Sequence, residues 1–339
     1  MTVLAELVRS HIARWQSASV EIGVFGTSEP DRVAAYFEVF CLEHLGTGVQ
    51  SALFYGSSAG CVAGLRLDDA SEVVVKAYQP AWEEGFLAGV VAVQAHLSER
   101  GFPCAKPLLG PARAGPAWAT VETFVADPGM KAFSTKEEMN ASASGLGTLV
   151  DACRPLDLPA LGGHPLNPSA DRLYPTPHNP IFDFSMGAEA AGWIDDFARA
   201  AKDARQVDAS PPVIGHTDWS ARNIRIEQVA LVAVYDWDSM ALCAESTLVG
   251  QAAATWRSTG EIDDPIAPDA DDVLEYTAAY EKASGRVFDS TQTRATLAAA
   301  LWVLAYSARC EHALEMVTGH HVERARARLA DGGRAFLSS

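Results

Sequence analysis

The sequence lacks the segments that mark membrane-embedded and secreted proteins. No uninterrupted apolar run approaches the roughly 20 residues that span a bilayer, and no basic, apolar and small-residue leader pattern follows Met1. The six cysteines are scattered and form no Cys-x-x-Cys pair, so neither a zinc site nor a compact disulfide framework is predicted. We therefore expect a reduced, cytoplasmic protein that has no membrane partner.

Positive charge is also scarce. The chain has 26 basic residues against 43 acidic ones, which gives a net charge of −17. A protein that binds duplex nucleic acid needs a basic surface to displace counterions, and no cluster here is large enough. The short run of Arg324, Arg326 and Arg328 is interpreted as a solvated helix face. We expect no nucleic-acid partner, and the sequence leaves the oligomeric state open.

Strand-like runs dominate the first third of the chain. With 339 residues, 48% of them hydrophobic, the chain can bury one large core or two moderate ones. Three strands are predicted at 50–55, 60–67 and 72–78, joined by a small-residue loop and a tight turn, which is typical of an antiparallel meander. A helix over 81–100 and a strand over 118–125 follow.

The remainder of the chain is predicted to be mostly helical. A stretch at 156–180 is rich in Pro, Gly and Asn and is predicted to be a long loop. A β-rich first part followed by a helical second part indicates the α+β class. The predicted helices cover 136–153, 187–203, 273–283 and 292–317.

The strongest chemical signal lies near the middle of the second part. His216 and Asp218 are followed by Asn223, and an apolar run then leads to Asp236 and Asp238. A magnesium–triphosphate reaction needs one carboxylate to orient the attacking hydroxyl and further oxygen ligands to hold the metal. A loop can place Asp218 and Asn223 in one cleft, and a following hairpin can bring Asp236 opposite them.

This pattern of His-x-Asp-x-x-x-x-Asn, hairpin and Asp-Trp-acidic resembles the aminoglycoside phosphotransferase/choline kinase superfamily. The resemblance implies a bilobal, protein-kinase-like fold with a small antiparallel sheet lobe and a larger, mostly helical lobe. Residues 1–125 would form the nucleotide-binding lobe, and residues 126–339 the catalytic and substrate-binding lobe. The departures are Thr217 where the family usually has Gly and Asp238 where it usually has Glu; neither removes a required functional group.

The resemblance also implies individual roles and cofactors. Asp218 would be the catalytic base, and Asn223 and Asp236 would hold Mg²⁺. His216 would fix the loop by hydrogen bonding and would not touch substrate. The co-substrate would be ATP or GTP, whose γ-phosphate passes to the hydroxyl of a small acceptor.

The nucleotide would bind in the first lobe. Ser57, Ser58 and Gly60 lie in a small-residue loop whose amides and hydroxyls can cradle phosphates. Lys76 closes an apolar strand, where a buried positive charge needs an anion, and the resemblance assigns it to the α- and β-phosphates. Backbone groups around Glu122 and Phe124 would meet the base, which leaves ATP and GTP undistinguished.

One departure concerns the helix after Lys76. The family usually pairs that lysine with a glutamate about two turns before the end of the helix, where this chain has the apolar Val90. Glu84, at the helix start, and Gln94, one turn beyond Val90, are the alternatives. The sequence does not decide between them.

The acceptor is the least determined part of the prediction. An aminoglycoside-like or other amino-bearing alcohol is the default, followed by sugars and choline-like alcohols. Substrate contacts are expected near the base and on one face of the last long helix. The candidates are Trp219, Asp238, Glu311, His312 and Glu315.

Two other functions stay open at this stage. A nucleotide-binding pseudokinase or scaffold would keep the fold without turnover; the missing helix glutamate favours it, whereas the presence of Lys76, Asp218, Asn223 and Asp236 opposes it. An unrelated metal-dependent hydrolase would bind metal without nucleotide. It would leave the strand that ends in Lys76 without a role.

Overall fold

The computed structural model describes residues 2–166, 171–261 and 264–338. The chain divides into two compact units, which are described separately below. The first unit comprises Met1–Arg100, Ala105–Ala126 and Pro177–Ile181. The second comprises Gly101–Cys104, Asp127–Thr176 and Phe182–Ser339.

A five-stranded antiparallel sheet forms the centre of the first unit. The strand order is β1-β2-β3-β5-β4, so β5 is inserted between β3 and β4. The predicted meander is therefore present, with its first strand longer than expected at both ends. The strands are β1 (Val49–Ser57), β2 (Gly60–Leu67), β3 (Glu72–Tyr78), β4 (Pro107–Ala114) and β5 (Ala117–Thr123).

One face of this sheet is covered by the N-terminal helices. The helices are α1 (Val3–Trp15), α2 (Ser19–Phe25) and α3 (Pro30–Leu45). Because side chains alternate along a strand, every second residue of β2, β3 and β5 joins these helices in one apolar core. The residues of that core face include Cys61, Ala63, Leu65, Val73, Val75, Ala77, Ala119 and Val121.

The opposite face of the sheet carries polar side chains. Lys76 pairs with Val62 on one side and with Thr120 on the other, and Val74 pairs with Glu122. Lys76, Thr120 and Glu122 therefore point to the same side, away from the N-terminal helices. Helix α4 (Glu84–Ser98) is shorter than the predicted 81–100 and contacts β4 and β5.

Strand β4 was missed in the sequence. It contains Pro107, Gly110 and Pro111, which are typical of a loop. The strand lies at the edge of the sheet, where a residue without a backbone N–H leaves no interior hydrogen bond unmade.

Helices and two small two-stranded sheets build the second unit. Strand β6 (Val213–His216) pairs with β9 (Met240–Cys243), and β7 (Ile224–Glu227) pairs with β8 (Ala230–Val234). The last long predicted helix is nearly as expected, whereas α6 begins at Gly192 and not at 187. The helices are α5 (Lys136–Cys153), α6 (Gly192–Arg205), α7 (Glu245–Thr255), α8 (Ala270–Ser284), α9 (Ser290–Thr318) and α10 (Ala325–Gly332).

Helix α7 was also missed, because it is buried almost all round and therefore lacks a polar stripe. It packs against α9 at very short range. A Cβ at Gly250 would collide with the carbonyl oxygen of Thr296. The absence of a side chain at this position lets the two helices approach.

Two further findings concern the described residues as a whole. None of their helices combines the length and the apolar composition that crossing a membrane requires. All six cysteines are free thiols.

We predict that Gly250→Ala destabilises the fold by about 1–3 kcal/mol, because the added methyl group must push α7 away from α9. Urea unfolding measures this change. The matched control is Gly192→Ala at the start of α6, where a Cβ meets nothing within 4 Å. The control is expected to be neutral or stabilising by up to about 1 kcal/mol. Equal losses in the two variants would contradict the packing explanation.

Candidate active site

The pairing of β6 with β9 brings two polar segments together in the second unit. His216 lies opposite Met240, so the loop that follows β6 and the turn that precedes β9 leave the same end of this strand pair. Thr217 joins them directly, since its backbone N–H and its hydroxyl both donate to the carbonyl of Ser239, at 2.9 and 2.8 Å. The Thr217 side chain, a departure from the usual Gly, thus adds a bond that glycine lacks.

The His216 side chain also joins the loop after β6 to the turn before β9. Its side chain is fully buried and lies edge-on between Trp219 and Trp237. Nδ1 accepts a hydrogen bond from the Asp218 backbone N–H (3.2 Å), and Nε2 lies 3.0 Å from the Tyr235 carbonyl. A carbonyl only accepts, so the proton is on Nε2. The predicted hydrogen-bonding role of His216 is confirmed.

Asp218 and Asn223 are in direct contact. The Nδ2 group of Asn223 donates to Asp218 Oδ2 at 2.7 Å and to the Asp218 carbonyl at 3.0 Å. Asn223 is 4% exposed, whereas Asp218 is only half-buried. Because the amide nitrogen faces Asp218, the Oδ1 atom of Asn223 faces the other way, as a metal ligand would require.

Asp236 has an unusual backbone. Its φ of 61° and ψ of 51° place it in the left-handed region, which costs a non-glycine residue energy and is enriched at functional sites. The Ser239 N–H closes the turn on the Asp236 carbonyl (3.0 Å), and the Tyr235 N–H donates to the Asn223 carbonyl (2.8 Å). Asp236 is therefore held, half-buried, at the edge that also carries Asp218 and Asn223.

These residues suit a hard divalent cation. Carboxylate and amide oxygens are the ligands that Mg²⁺ prefers, and Mg²⁺ usually keeps waters and substrate phosphates beside one or two carboxylates. Within the described parts of the chain, no group of three or more His, Cys, Asp or Glu is placed to hold a metal. A site built from Asn223 and Asp236 would thus be completed by phosphates and waters.

In the first unit, Lys76 is the buried cation of the polar sheet face. It is 7% exposed in the middle of the sheet, between β2 and β5. Tyr78 and Thr120 on the same face are linked through their hydroxyls (3.0 Å). A cation in this position needs negative charge close by, as the sequence predicted.

The structure corrects the role predicted for Ser57. Ser57 pairs with Cys61, whose side chain belongs to the core beneath the N-terminal helices, so Ser57 faces away from Lys76. Its backbone N–H and hydroxyl both bind Nε2 of His11 on α1, at 3.1 and 3.0 Å. Burial lowers the pKa of His11, which keeps Nε2 able to accept. Ser58 and Gly60 stay as predictions.

The two alternatives for the partner of Lys76 are placed differently. Glu84 is exposed at the start of α4. Gln94 is buried, and its Nε2 donates to Glu122 Oε2 at 2.6 Å and to the Ala105 carbonyl at 3.1 Å. Gln94 thus holds a carboxylate that shares the sheet face of Lys76, and the sequence reasoning did not consider that carboxylate as a partner.

Phe124 was predicted to meet the base through its backbone. Its N–H donates to the Glu72 carbonyl at 3.1 Å, and the Thr123 N–H donates to the Lys106 carbonyl at 2.9 Å. The Phe124 N–H is therefore part of the sheet, and any contact of Phe124 with a base would have to use its carbonyl.

Two of the predicted substrate residues are corrected. Trp219 is fully buried, and its indole N–H donates to the Ser142 carbonyl, so it belongs to the core. Glu311 is 7% exposed and caps α10, because its carboxylate accepts the backbone N–H groups of Arg324, Ala325 and Arg326.

The other substrate candidates have specific neighbours. His312 lies 3.1 Å from the Gly187 carbonyl through Nε2. Glu315 forms an ion pair with Arg326 (2.7 Å) and a second one with His321 (2.9 Å). Asp238 is 8% exposed beneath the turn at Asp236, a position that suits a brace. For these three residues a substrate contact stays a prediction.

The sequence is similar to a known family of proteins. A family model described as the phosphotransferase enzyme family matches residues 65–242, more than half of the chain, and that span includes Lys76, Asp218, Asn223 and Asp236. No curated protein matches the sequence significantly.

Solved structures confirm the predicted α+β, kinase-like fold. An amicoumacin kinase in complex with AMP-PNP, Ca²⁺ and Ami is 12% identical, with a TM-score of 0.58 over 91% of this chain and 95% of that one. A microcompartment-associated aminopropanol kinase is 13% identical, with the same TM-score of 0.58 and coverages of 91% and 95%. A thermostable mutant of the aminoglycoside phosphotransferase APH(4)-Ia is 14% identical, with a TM-score of 0.52 over 89% of this chain and 100% of that one.

We predict that Thr217→Val lowers the free energy of unfolding by about 0.5–1.5 kcal/mol, because the shape is kept and one hydrogen bond to the Ser239 carbonyl is lost. Chemical denaturation measures the change. Thr217→Ser keeps the hydroxyl and serves as the control, with a loss below about 0.5 kcal/mol expected. A valine variant as stable as the native chain would show that the hydroxyl bond contributes nothing.

Proposed function

The chain belongs to the phosphotransferase enzyme family, and on that premise we propose that it transfers the γ-phosphate of a nucleoside triphosphate to a hydroxyl group of a small molecule. The observation that carries the proposal is the hydrogen bond from Asn223 to Asp218, in a loop joined by Thr217 and His216 to the turn of Asp236. An active site of this kind needs a base and metal ligands at one edge, and these residues supply both.

Asp218 acts as the base of this reaction. Its Oδ2 is oriented by the amide of Asn223, and its backbone N–H is held by His216. The half-buried carboxylate can accept the proton of the attacking hydroxyl and hold that hydroxyl in line with the phosphorus. His216 thus fixes the backbone of Asp218 and Asn223 fixes one carboxylate oxygen, which orients the carboxylate before an acceptor arrives.

Asn223 and Asp236 hold Mg²⁺ in the proposal. The bound cation would neutralise negative charge on the phosphates. Asp236 presents its carboxylate from a turn in the left-handed conformation, and Asn223 presents Oδ1 from a nearly buried position. The backbone of Asp236 and the amide group of Asn223 are thus fixed before any ligand binds, which limits the entropy lost on binding.

Lys76 binds the phosphates of the nucleotide in the first unit. It lies on the polar sheet face with Thr120 and Glu122. We assign Glu122 as a source of the negative charge that the buried lysine requires, because it lies diagonally across from Lys76 and its carboxylate is fixed by Gln94. A strand glutamate would then take the part that the family usually gives to a helix glutamate.

The acceptor proposed is an amino-bearing alcohol or an aminoglycoside-like sugar. The net charge of −17 favours a cationic acceptor over an anionic one. ATP and GTP are both proposed as donors, since the contacts to the base come from backbone groups. Turnover distinguishes this function from that of a nucleotide-binding pseudokinase.

We predict that the chain binds ATP or GTP only with Mg²⁺ and that Asp236→Ala weakens this binding at least tenfold, because one of two protein ligands of the metal is removed. Calorimetry with and without Mg²⁺ measures both effects. Ser57→Ala is the control, since the Ser57 hydroxyl faces His11, and its affinity should stay within about twofold of the native value. Absence of nucleotide binding in all conditions would reject the kinase assignment.

A second experiment measures phosphate transfer from the nucleotide to a panel of amino alcohols, aminoglycosides and sugars. Asp218→Asn should bind the nucleotide as the native chain does and transfer phosphate about 10²–10⁴ times more slowly, because the base is lost. Binding without transfer to any acceptor in the native chain would instead support the pseudokinase.

We also predict that Glu122→Gln lowers the free energy of unfolding by about 1–3 kcal/mol, because Lys76 loses nearby negative charge in a buried setting. Saturating Mg²⁺–nucleotide should recover part of this loss, since its phosphates supply negative charge. Thermal unfolding with and without nucleotide measures both effects. Glu84→Gln, at the exposed start of α4, is the control and should change nothing. Identical behaviour of the two variants would exclude Glu122 as the counter-charge.

A further inference from the structure

A buried arginine lies directly beneath the loop that carries Asp218 and Asn223. Arg225 follows Asn223 by two residues, on β7 between two isoleucines, and its side chain is only 7% exposed. Its Nη1 group donates to the carbonyls of Ala221, Arg222 and Ile224, each at 3.0 Å. One guanidinium nitrogen thus gathers the backbone on both sides of Asn223.

The other side of the guanidinium is held by Asp127. Nε donates to Oδ1 and Nη2 donates to Oδ2, both at 2.6 Å, in the two-pronged geometry that makes arginine–carboxylate pairs strong and directional. The Gly129 N–H also donates to Asp127 Oδ1 at 2.9 Å. The guanidinium carbon lies 5.1 Å from the centre of the Tyr235 ring. Asp127 therefore fixes the orientation of Arg225.

Asp127 is far from Arg225 in sequence and lies at the start of one stretch of the second unit. Asp127 begins the stretch Asp127–Thr176 of the second unit, directly after the last residue of the stretch Ala105–Ala126 of the first. It precedes α5 in a segment without helix or strand. The ion pair thus joins the start of that stretch to Arg225, 98 residues later in sequence, which holds the loop of Asn223.

We propose that Arg225 and Asp127 are positioning residues for phosphate transfer: together they hold the backbone at 221–224 so that Asn223 keeps its contacts with Asp218 and with the metal. This inference rests on the proposed function. In this proposal neither Arg225 nor Asp127 touches a reacting group. The pair acts through the three loop carbonyls, and those carbonyls flank Asn223, whose amide donates to the carboxylate of the base.

Geometry at this position has a direct effect on rate. A displacement of about 1 Å in an active site can cost about 10²-fold in turnover. Without Asp127 the guanidinium remains buried with no anion to orient it, which allows it to rotate away from the loop carbonyls. The loop would then stay folded but lose its fixed position.

The test compares Asp127→Asn and Asp127→Glu with the native chain. Asp127→Asn removes the charge and should lower kcat about 10–100-fold, with the KM for the nucleotide within about threefold and a higher Mg²⁺ requirement. Asp127→Glu keeps a two-pronged carboxylate and should recover most of kcat. If the ion pair only stabilises the fold, its loss in Asp127→Asn would lower the melting temperature and leave kcat and the Mg²⁺ requirement unchanged.

Glu245→Gln is the matched control. Glu245 forms another largely buried pair, with Arg286 at 2.8 Å, and its carboxylate also accepts hydrogen bonds from Tyr280 and Arg154. It should lower the melting temperature without moving kcat. If Glu245→Gln lowers kcat as much as Asp127→Asn does, the effect belongs to general stability and the proposal is rejected.

A second readout separates this inference from the proposed function. Hydrogen exchange of the backbone amides at 217–224 should accelerate at least tenfold in Asp127→Asn and stay unchanged in Glu245→Gln, whether or not phosphate is transferred. Faster exchange in a chain that transfers no phosphate would support the positioning role of Arg225 and Asp127 but reject the proposed phosphate transfer. Unchanged exchange and unchanged kcat in an active enzyme would reject the positioning role alone.

Discussion

The hydrogen bonds of one buried imidazole join the loop of Asp218 to the turn of Asp236. His216 accepts from the Asp218 backbone through Nδ1 and binds the Tyr235 carbonyl through Nε2, and two tryptophan rings enclose it. Each nitrogen serves a different polar segment, so the neutral ring must keep one tautomer. The positions of Asp218 and Asp236 both derive from this ring, and Thr217 and Arg225 add bonds that oppose displacement of the loop in other directions.

In the first unit a single sheet separates an apolar core on one face from polar side chains on the other. Alternation along β3 sends Val73, Val75 and Ala77 into the helix-covered core and leaves Lys76 on the other face. A register slip by one residue would bury the lysine among apolar side chains and expose the valines. The apolar pattern of the strand therefore fixes the placement of the cation, and the same pattern turns Ser57 away from it.

Periodicity and short-range chemistry predicted much of the fold and of the loop. The strands around Lys76 and the helix at Lys136–Cys153 follow from patterns within a few residues. The fixing role of His216 was implied by the family resemblance. The misses depend on distant partners. The proline-containing strand β4 is tolerated because it lies at the edge of the sheet, and α7 is buried because α9, α8 and β6 all pack against it. The position of Arg225 between two isoleucines in a four-residue strand could have indicated a buried charge. The sequence could not identify its carboxylate partner, because that partner is 98 residues away.

The coverage of the sheet by α1, α2 and α3 has a practical consequence for anyone who shortens the chain. These helices precede the region matched by the family model, so they look dispensable when domain limits are chosen by family alone. Their removal would strip one whole face of the sheet and leave Cys61, Leu65 and Val75 against water. Such an apolar surface promotes self-association. A truncated version that starts at β1 would thus be expected to precipitate for reasons unrelated to catalysis.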